Sequence, residues 1–269
     1  MIPSFDKQIS ESGISYHRHG SGPHLILIHG VGLRGESWYR YNELLSHHFD
    51  LIILDLPGHG SSHPLSVDYQ QTSLPDYVQA ISEFVLEITE QPFYLCGHSL
   101  GSLIAIAMAA RLDNKVLAFA ALNAIEGRSN EAHQAVQARA KLLHDSDTIV
   151  GVQETVERWF GKSPDAEQQH YASLCNHWLR NNNLQGYAAA YKAFADQRGP
   201  SPETLASIAC PSLYMTGELD LNSSPEMTHR LAQLSASNSK AVVIENAGHM
   251  MPLSHAEDVS NELIKLKNG

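Results

Sequence analysis

The pentapeptide Gly-His-Ser-Leu-Gly at 97–101 constrains this chain more than any other feature. It follows the apolar run 92–96 and precedes the small-residue segment 102–110, which is the pattern of a buried strand that turns directly into a helix. So tight a turn leaves no room for side chains beside its central residue, and the two glycines meet that requirement. The turn pushes the serine hydroxyl forward, where a base can accept its proton. The sequence therefore predicts that Ser99 is a nucleophile.

A nucleophilic serine in this setting is followed along the chain first by an acid and then by a histidine. The apolar run 210–216 leads into a loop that contains Asp220, and the apolar run 240–244 is followed by His249. We predict that His249 accepts the Ser99 proton and then activates water, while Asp220 is the acid of the triad. Glu218 is kept as a backup acid. Asp55, in the run 55–60, is predicted to shape a turn instead.

A second glycine-containing run, His-Gly-Val-Gly at 29–32, follows the apolar residues 25–28. Its glycines permit the turns of an oxyanion loop, in which backbone N–H groups point at developing negative charge. We predict that the backbone N–H groups of Val31 and Leu100 form the oxyanion hole.

Apolar strands alternate with amphipathic helices along most of the chain, which is typical of a mostly parallel sheet covered by helices on both faces. The predicted strands are 14–19, 25–29, 51–55, 93–96, 116–122, 212–216 and 241–245, and the predicted helices outside the cap are 36–47, 76–90, 99–112, 225–234 and 256–267. Between about 125 and 199, helical patterns follow one another without a strand, at 131–144, 148–160, 165–180 and 184–197. We predict an α/β core (1–124 and 200–269) with a helical cap (125–199) inserted after the sixth strand of the fold.

On these motifs, the chain resembles the α/β-hydrolase superfamily over nearly its whole length. The runs 29–38, 158–160 and 186–195 are similar to those of catabolic hydrolases near the 3-oxoadipate enol-lactonases, and more closely to hydrolases of formamido- or acetamidomethylene succinates. The resemblance implies a metal-free serine hydrolase that cleaves a small acidic enamide of N-heterocycle catabolism through an acyl-enzyme on Ser99. Hydrolysis of an enol-lactone or a carboxylic ester is the alternative, because the same triad permits it. A ligand-binding receptor, a lyase and a cofactor-free peroxidase on this fold stay open.

The candidate substrate-binding residues are aromatic or cationic. Trp159, Trp178 and Tyr187 belong to the predicted cap, where they either line the pocket or form the core of the cap. Arg34 follows the oxyanion loop, and further arginines belong to the cap: Arg128, Arg139, Arg158 and Arg180. Since arginine binds carboxylates through two parallel hydrogen bonds, we predict an acidic substrate held by Arg34 and Arg158.

Composition limits the partners. A net charge of −11 argues against nucleic acid and against an anionic membrane surface. The first residues lack the pattern of a signal peptide, and no apolar run approaches the ~18 residues of a membrane span. The three cysteines lack C-x-x-C spacing, and the 16 histidines lack the spacing of a zinc site. We therefore expect a cytoplasmic monomer or homodimer that acts on a small molecule without metal, nucleotide or redox cofactor.

Overall fold

The computed structural model describes residues 2–235 and 238–269, and in them the strands form one sheet. Its strands are β1 (Gln8–Ile9), β2 (Ser15–Gly20), β3 (His24–Ile28), β4 (Asp50–Leu54), β5 (Phe93–His98), β6 (Val116–Leu122), β7 (Ser212–Gly217) and β8 (Ser239–Ile244). The helices are α1 (Tyr41–Leu45), α2 (Leu74–Ile88), α3 (Leu100–Leu112), α4 (Asn130–His144), α5 (Val152–Phe160), α6 (Ala166–Arg180), α7 (Leu184–Ala195), α8 (Pro202–Ala206), α9 (Pro225–Leu234), α10 (Met251–Ser254) and α11 (Ala256–Asn268).

The strand order across the sheet is β1-β2-β4-β3-β5-β6-β7-β8. Strands β3 to β8 are parallel to one another, and only β1 and β2 at one edge run antiparallel to their neighbours. The chain passes from β3 to β4 on one side and then returns to place β5 on the other side. The order therefore reverses between β3 and β5, and in open α/β sheets the crevice at such a reversal holds the ligand.

Helices cover both faces of the sheet, because successive residues of the central strands β3 to β7 point to opposite sides and are mostly buried on both. On β3, Ile26 and Ile28 pack into a cluster with α2 and α3. The alternate residues Leu25 and Leu27 pack into a second cluster with α1 and α11. This arrangement confirms the predicted α/β-hydrolase fold class.

Four consecutive helices, α4 to α7, lie between β6 and α8, and no strand occurs in the fully described segment 125–199. Three of them begin at a polar side chain that accepts a hydrogen bond from a backbone N–H in the first turn, which satisfies a group that would otherwise lack a partner: Ser129, Asp165 and Asn183. We call this segment the cap. Its boundaries, like those of the core, stay a prediction.

Several details differ from the predicted elements, and the short helices α8 and α10 were not predicted. The predicted helix 36–47 is divided into a 3₁₀ turn at Gly35–Trp38 and the short helix α1, an arrangement that buries Trp38 and Tyr41 against one face of the sheet. Strand β1 was not predicted, because two residues are too few to show an alternating pattern. In the described part of the chain, no helix has the length and apolar character that a membrane crossing needs.

Candidate active site

The turn at Ser99 has the geometry that the sequence predicts. Ser99 joins β5 to α3 with φ 55° and ψ −114°, a backbone conformation that L residues rarely adopt. A Cβ on Gly97 would lie 1.9 Å from the carbonyl oxygen of Gly101, and one on Gly101 would lie 2.2 Å from the carbonyl oxygen of Ile28. The turn can therefore form only with glycine at both positions.

His249 and Asp220 form a buried pair. Nδ1 of His249 lies 2.9 Å from Oδ2 of Asp220. The same oxygen accepts a hydrogen bond from Nδ2 of Asn123 (2.8 Å), and Oδ1 accepts one from the backbone N–H of Asn222 (2.8 Å). Burial would raise the pKa of Asp220, but His249 and these hydrogen bonds outweigh it and lower the pKa below its usual value. A carboxylate only accepts hydrogen bonds, so Nδ1 of His249 carries the proton and Nε2 remains as the basic nitrogen.

Ser99 and His249 line one cavity of about 190 Å³. Val31 of the loop after β3 reaches the same cavity, and the cap supplies aromatic and cationic walls: Arg128, Arg158, Trp159, Tyr187, Tyr191 and Phe194. The ring of Trp159 stacks on that of His249, with centroids 5.7 Å apart and an interplanar angle of 29°. These residues lie close together because β3, β5, β7 and β8 are parallel, so the loops that follow them all leave from the carboxyl end of the sheet.

The loop after β3 passes directly beside the serine. A Cβ on Gly30 would lie 3.0 Å from Cβ of Ser99, so a larger residue would force the loop or the serine side chain to shift. The backbone N–H groups of Val31 and Leu100 donate no hydrogen bond to any residue in the described ranges. Both groups thus lack a partner among the described residues, in keeping with the predicted oxyanion hole.

Two buried histidines hold this loop in place. His29 donates from Nδ1 to the carbonyl oxygen of Gly30 (2.8 Å), and its Nε2 accepts from the backbone N–H of Leu56 (2.9 Å). Nε2 of His59 accepts from the backbone N–H of Gly32 (3.1 Å). Burial lowers the pKa of His29 to about 3 and that of His59 to about 4. Both rings are therefore neutral at neutral pH, as their acceptor roles require.

The alternative acids have other roles. Asp55 accepts hydrogen bonds from the backbone N–H groups of Gly35 (2.8 Å) and Ser61 (3.0 Å) and forms an ion pair with Lys7, so it shapes a turn. Glu218 is exposed and accepts a hydrogen bond from the backbone N–H of Asn246 (3.0 Å). Neither carboxylate hydrogen-bonds to His249.

Two of the predicted substrate-binding residues lie outside the cavity lining. Trp178 is 1% exposed and packs with Leu33 and Leu174 between cap and core. Arg34 donates from Nη2 to the carbonyl oxygen of Asn181, where α6 ends and its unpaired carbonyl groups attract a cation. We therefore correct the predicted binding set: Trp178 stabilises the contact between cap and core, and Arg34 ties the loop after β3 to the end of α6.

Sequence reasoning did not assign Asn123 or His98 to the site. Asn123 follows β6 in a left-handed conformation (φ 54°), and its side chain positions Asp220. Its signal in the sequence was a lone polar residue at the carboxyl end of a buried strand. His98 lies inside the pentapeptide and hydrogen-bonds to the backbone of His249.

No group of three or more histidine, cysteine, aspartate or glutamate side chains within 2–235 and 238–269 is arranged to hold a metal ion. The expectation of catalysis without a metal or other cofactor stays a prediction.

Residues 23–256 match the family model of the alpha/beta hydrolase fold. The chain therefore belongs to the α/β-hydrolase family and is a hydrolase. It is 38% identical over 249 residues to the (E)-2-((N-methylformamido)methylene)succinate hydrolase of Acinetobacter baylyi, covering 92% of this chain and 91% of that protein. These matches confirm the resemblance that the motifs indicated.

Two solved structures show the same fold. An enol-lactonase from Burkholderia xenovorans superposes with a TM-score of 0.84 at 20% identity, covering 95% of this chain and 96% of its own. An E-2-(acetamidomethylene)succinate hydrolase superposes with a TM-score of 0.80 at 19% identity, covering 99% of this chain and 100% of its own.

Proposed function

We propose that this hydrolase cleaves the amide C–N bond of a small carboxylate-bearing enamide, such as an (N-methylformamido)methylene succinate, through an acyl-enzyme on Ser99. The observation that carries the substrate class is the 38% identity, over nearly the full length of both chains, to a hydrolase named for that compound. The observation that supports the mechanism is the hydrogen-bonded pair of His249 and Asp220 in the cavity of Ser99.

In the proposed mechanism, Nε2 of His249 takes the Ser99 proton while Oγ attacks the acyl carbon. The carbonyl oxygen becomes negatively charged and accepts hydrogen bonds from the backbone N–H groups of Val31 and Leu100. His249 then gives its proton to the leaving nitrogen, and the C–N bond breaks. Water, deprotonated by His249, attacks the acyl-enzyme and releases a carboxylic acid, so one amide and one water yield one acid and one amine.

The walls of the cavity support a small acidic substrate. Arg158 lies on α5 and reaches the cavity, and no carboxylate pairs with it in the described ranges. Its guanidinium can therefore bind a carboxylate of the substrate. Trp159 and Tyr187 supply apolar area beside it. A volume of about 190 Å³ suits a compact molecule rather than a long acyl chain.

The test compares three substrates with purified protein: the (N-methylformamido)methylene succinate, an enol-lactone that bears a carboxylate, and a simple carboxylic ester. We expect kcat/KM to be at least ~10-fold higher for the enamide, because its acyl group and carboxylates fit the cavity together. A preference for the lactone or the ester would move the assignment to C–O hydrolysis.

The Arg158→Gln variant tests the acidic substrate. We expect KM for the enamide to rise ~10-fold or more, since a charge-assisted hydrogen bond is lost. Arg180→Gln is the matched control, because Arg180 is an exposed cap arginine that bonds to Asn176 on its own helix. An unchanged KM in Arg158→Gln would remove Arg158 from the binding set.

A fluorophosphonate probe, which labels an activated serine, tests whether Ser99 is the nucleophile. We expect rapid labelling of the wild type and none of Ser99→Ala. A wild type that stays unlabelled would show that Ser99 is not an activated nucleophile. The cytoplasmic location and the monomeric or homodimeric state stay predictions.

A further inference from the structure

Arg128 is a buried cation in the wall of the active-site cavity. It lies in the connection between β6 and α4, where the chain enters the cap, and it is 6% exposed. Its side chain lines the same cavity as Ser99 and His249. Arginine is rarely buried to this degree without a partner of opposite charge.

The guanidinium is held in one position from several sides. Nη1 donates to the carbonyl oxygen of Gln197 (2.8 Å), and the group lies over the ring of Phe194, 4.6 Å from its centroid. Two hydrogen bonds with Arg198 fix the backbone as well. The backbone N–H of Arg128 donates to the carbonyl oxygen of Arg198 (3.0 Å), and Nη1 of Arg198 donates to the carbonyl oxygen of Arg128 (3.1 Å). A side chain that is already ordered loses little conformational entropy when a ligand binds.

The charge of Arg128 is not neutralised by the protein. The nearest acid along the chain, Glu126, forms an ion pair with Arg230 (2.8 Å). No carboxylate forms a salt bridge with Arg128 in the residues that the structure describes. Burial, opposed by Tyr191 and assisted by Arg198, lowers the pKa of Arg128 to about 10. The group is thus still charged at neutral pH, and a buried unpaired charge is costly until an anion reaches it.

Arg128 and Arg158 reach the cavity from different elements and differ in exposure. Arg158 on α5 is exposed, whereas Arg128 is buried. Two cations on separate walls of one small cavity match a ligand with two carboxylates rather than one. The buried cation should discriminate more strongly, because an ion pair is screened less away from water.

We infer that Arg128 is a specificity-determining carboxylate receptor, which binds one carboxylate of a dicarboxylate substrate in the buried part of the cavity while Arg158 binds the other near solvent. This inference rests on the proposed function, because it names the second anchoring point of the substrate. It assigns to Arg128 the preference for a diacid over a monoacid.

The experiment measures inhibition of fluorophosphonate labelling at Ser99 by methylsuccinate and by butanoate, so that no turnover is needed. In the wild type, methylsuccinate is expected to inhibit at much lower concentration than butanoate. In Arg128→Gln, the inhibition constant of methylsuccinate should rise ~10- to 100-fold, which corresponds to the loss of one charge-assisted pair, and most of the preference for the diacid should vanish. Arg180→Gln should keep the wild-type preference.

Thermal melting shows whether Arg128→Gln is folded, since Arg128 also joins the entry and exit of the cap. Arg128→Lys is the second variant, because it keeps the charge but cannot form two parallel hydrogen bonds. Its inhibition constant for methylsuccinate should rise by a smaller factor, ~3- to 10-fold. A folded Arg128→Gln protein with the wild-type preference, or an unchanged constant in Arg128→Lys, would overturn the inference.

The two proposals fail in different ways. If methylsuccinate binding depends on Arg128 but the wild type does not hydrolyse the enamide, the inference stands and only the substrate of the proposed function is wrong. If the wild type hydrolyses the enamide and Arg128→Gln does so with unchanged KM, the proposed function stands and the role of Arg128 is wrong.

Discussion

The imidazole of His98 donates a hydrogen bond from Nε2 to the backbone carbonyl oxygen of His249, over 2.9 Å. Burial, and to a smaller extent the neighbouring His249, lower the pKa of His98 to about 3, so the ring is neutral at neutral pH. Its Nδ1 also lies 3.2 Å from where a Cβ on Gly30 would be. A single side chain therefore connects the turn at Ser99 with the loop that carries His249 and lies close to Gly30.

Replacement of His98 should lower kcat through the position of His249. We expect His98→Ala to reduce kcat ~10- to 100-fold with a smaller change in KM, because a misplaced base slows proton transfer more than it weakens binding. His98→Gln should restore part of the loss, because its amide can donate a similar hydrogen bond. The kinetics are measured over pH and corrected for the active fraction with the fluorophosphonate probe. If kcat per labelled serine in His98→Ala equals that of the wild type, the hydrogen bond from His98 to His249 does not matter for catalysis.

The triad variants test the acid assignment. Ser99→Ala should abolish turnover with its thermal midpoint close to wild type, and Asp220→Asn should lower kcat by ~10⁴-fold, because His249 loses the acceptor that sets its tautomer. Glu218→Gln is the matched carboxylate control and should keep its activity, since Glu218 bonds to Asn246 and not to His249. The assignment of Asp220 is wrong if Glu218→Gln loses activity and Asp220→Asn keeps it.

Two tryptophans of the cap should behave in opposite ways. Trp159→Ala removes the ring that stacks on His249 in the cavity, so we expect KM to rise ~10-fold or more. Trp178→Ala leaves a hole in a packed cluster, so its main effect should be a loss of ~3–5 kcal/mol in the free energy of unfolding. Urea unfolding and steady-state kinetics of both variants separate the two effects. If Trp178→Ala raises KM more than Trp159→Ala does, the pocket lining described above is wrong.

Stability should fall below about pH 6.5 because three buried histidines stay neutral in the folded protein. The pKa values of His29, His59 and His98 are about 3, about 4 and about 3, below the value of ~6.5 in an unfolded chain. As the pH falls, the unfolded state binds protons that the folded state does not, so the free energy of unfolding decreases. The loss begins near pH 6.5 and continues towards pH 4, with a slope that approaches ~4 kcal/mol per pH unit for three protons.

Urea unfolding between pH 7.5 and 5 measures this slope. His59→Gln should reduce it by about one third, because one of three protons no longer differs between the two states. A free energy of unfolding that is constant over this range would mean that the three rings are protonated in the folded protein as well.

The order of elements could be predicted from the sequence because it depends on local patterns. Alternating apolar runs and amphipathic segments indicated β2 to β8, and the loss of that alternation after residue 124 indicated the helices α4 to α7. The glycines at 97 and 101 indicated the turn at Ser99, because close approach of backbone groups excludes every other residue there.

The residues that complete the site were decided by the tertiary structure. Nothing in the sequence distinguishes Arg34 from Arg158 or Trp178 from Trp159 as binding residues. In the structure, Arg158 and Trp159 line the cavity, whereas Arg34 and Trp178 do not. Which face of a cap helix points inward depends on how the cap packs on the core, and no local pattern encodes that. Asn123 was missed, and Arg128 was not distinguished from the other cap arginines, for the same reason, since their partners lie far away along the chain.

The sequence by itself thus determined the fold class and predicted the nucleophile and the order of its partners, because sterics and periodicity act between near neighbours. Only the tertiary structure decided which side chains meet in the cavity, since burial, ion pairing and hydrogen bonding depend on residues that the fold brings together.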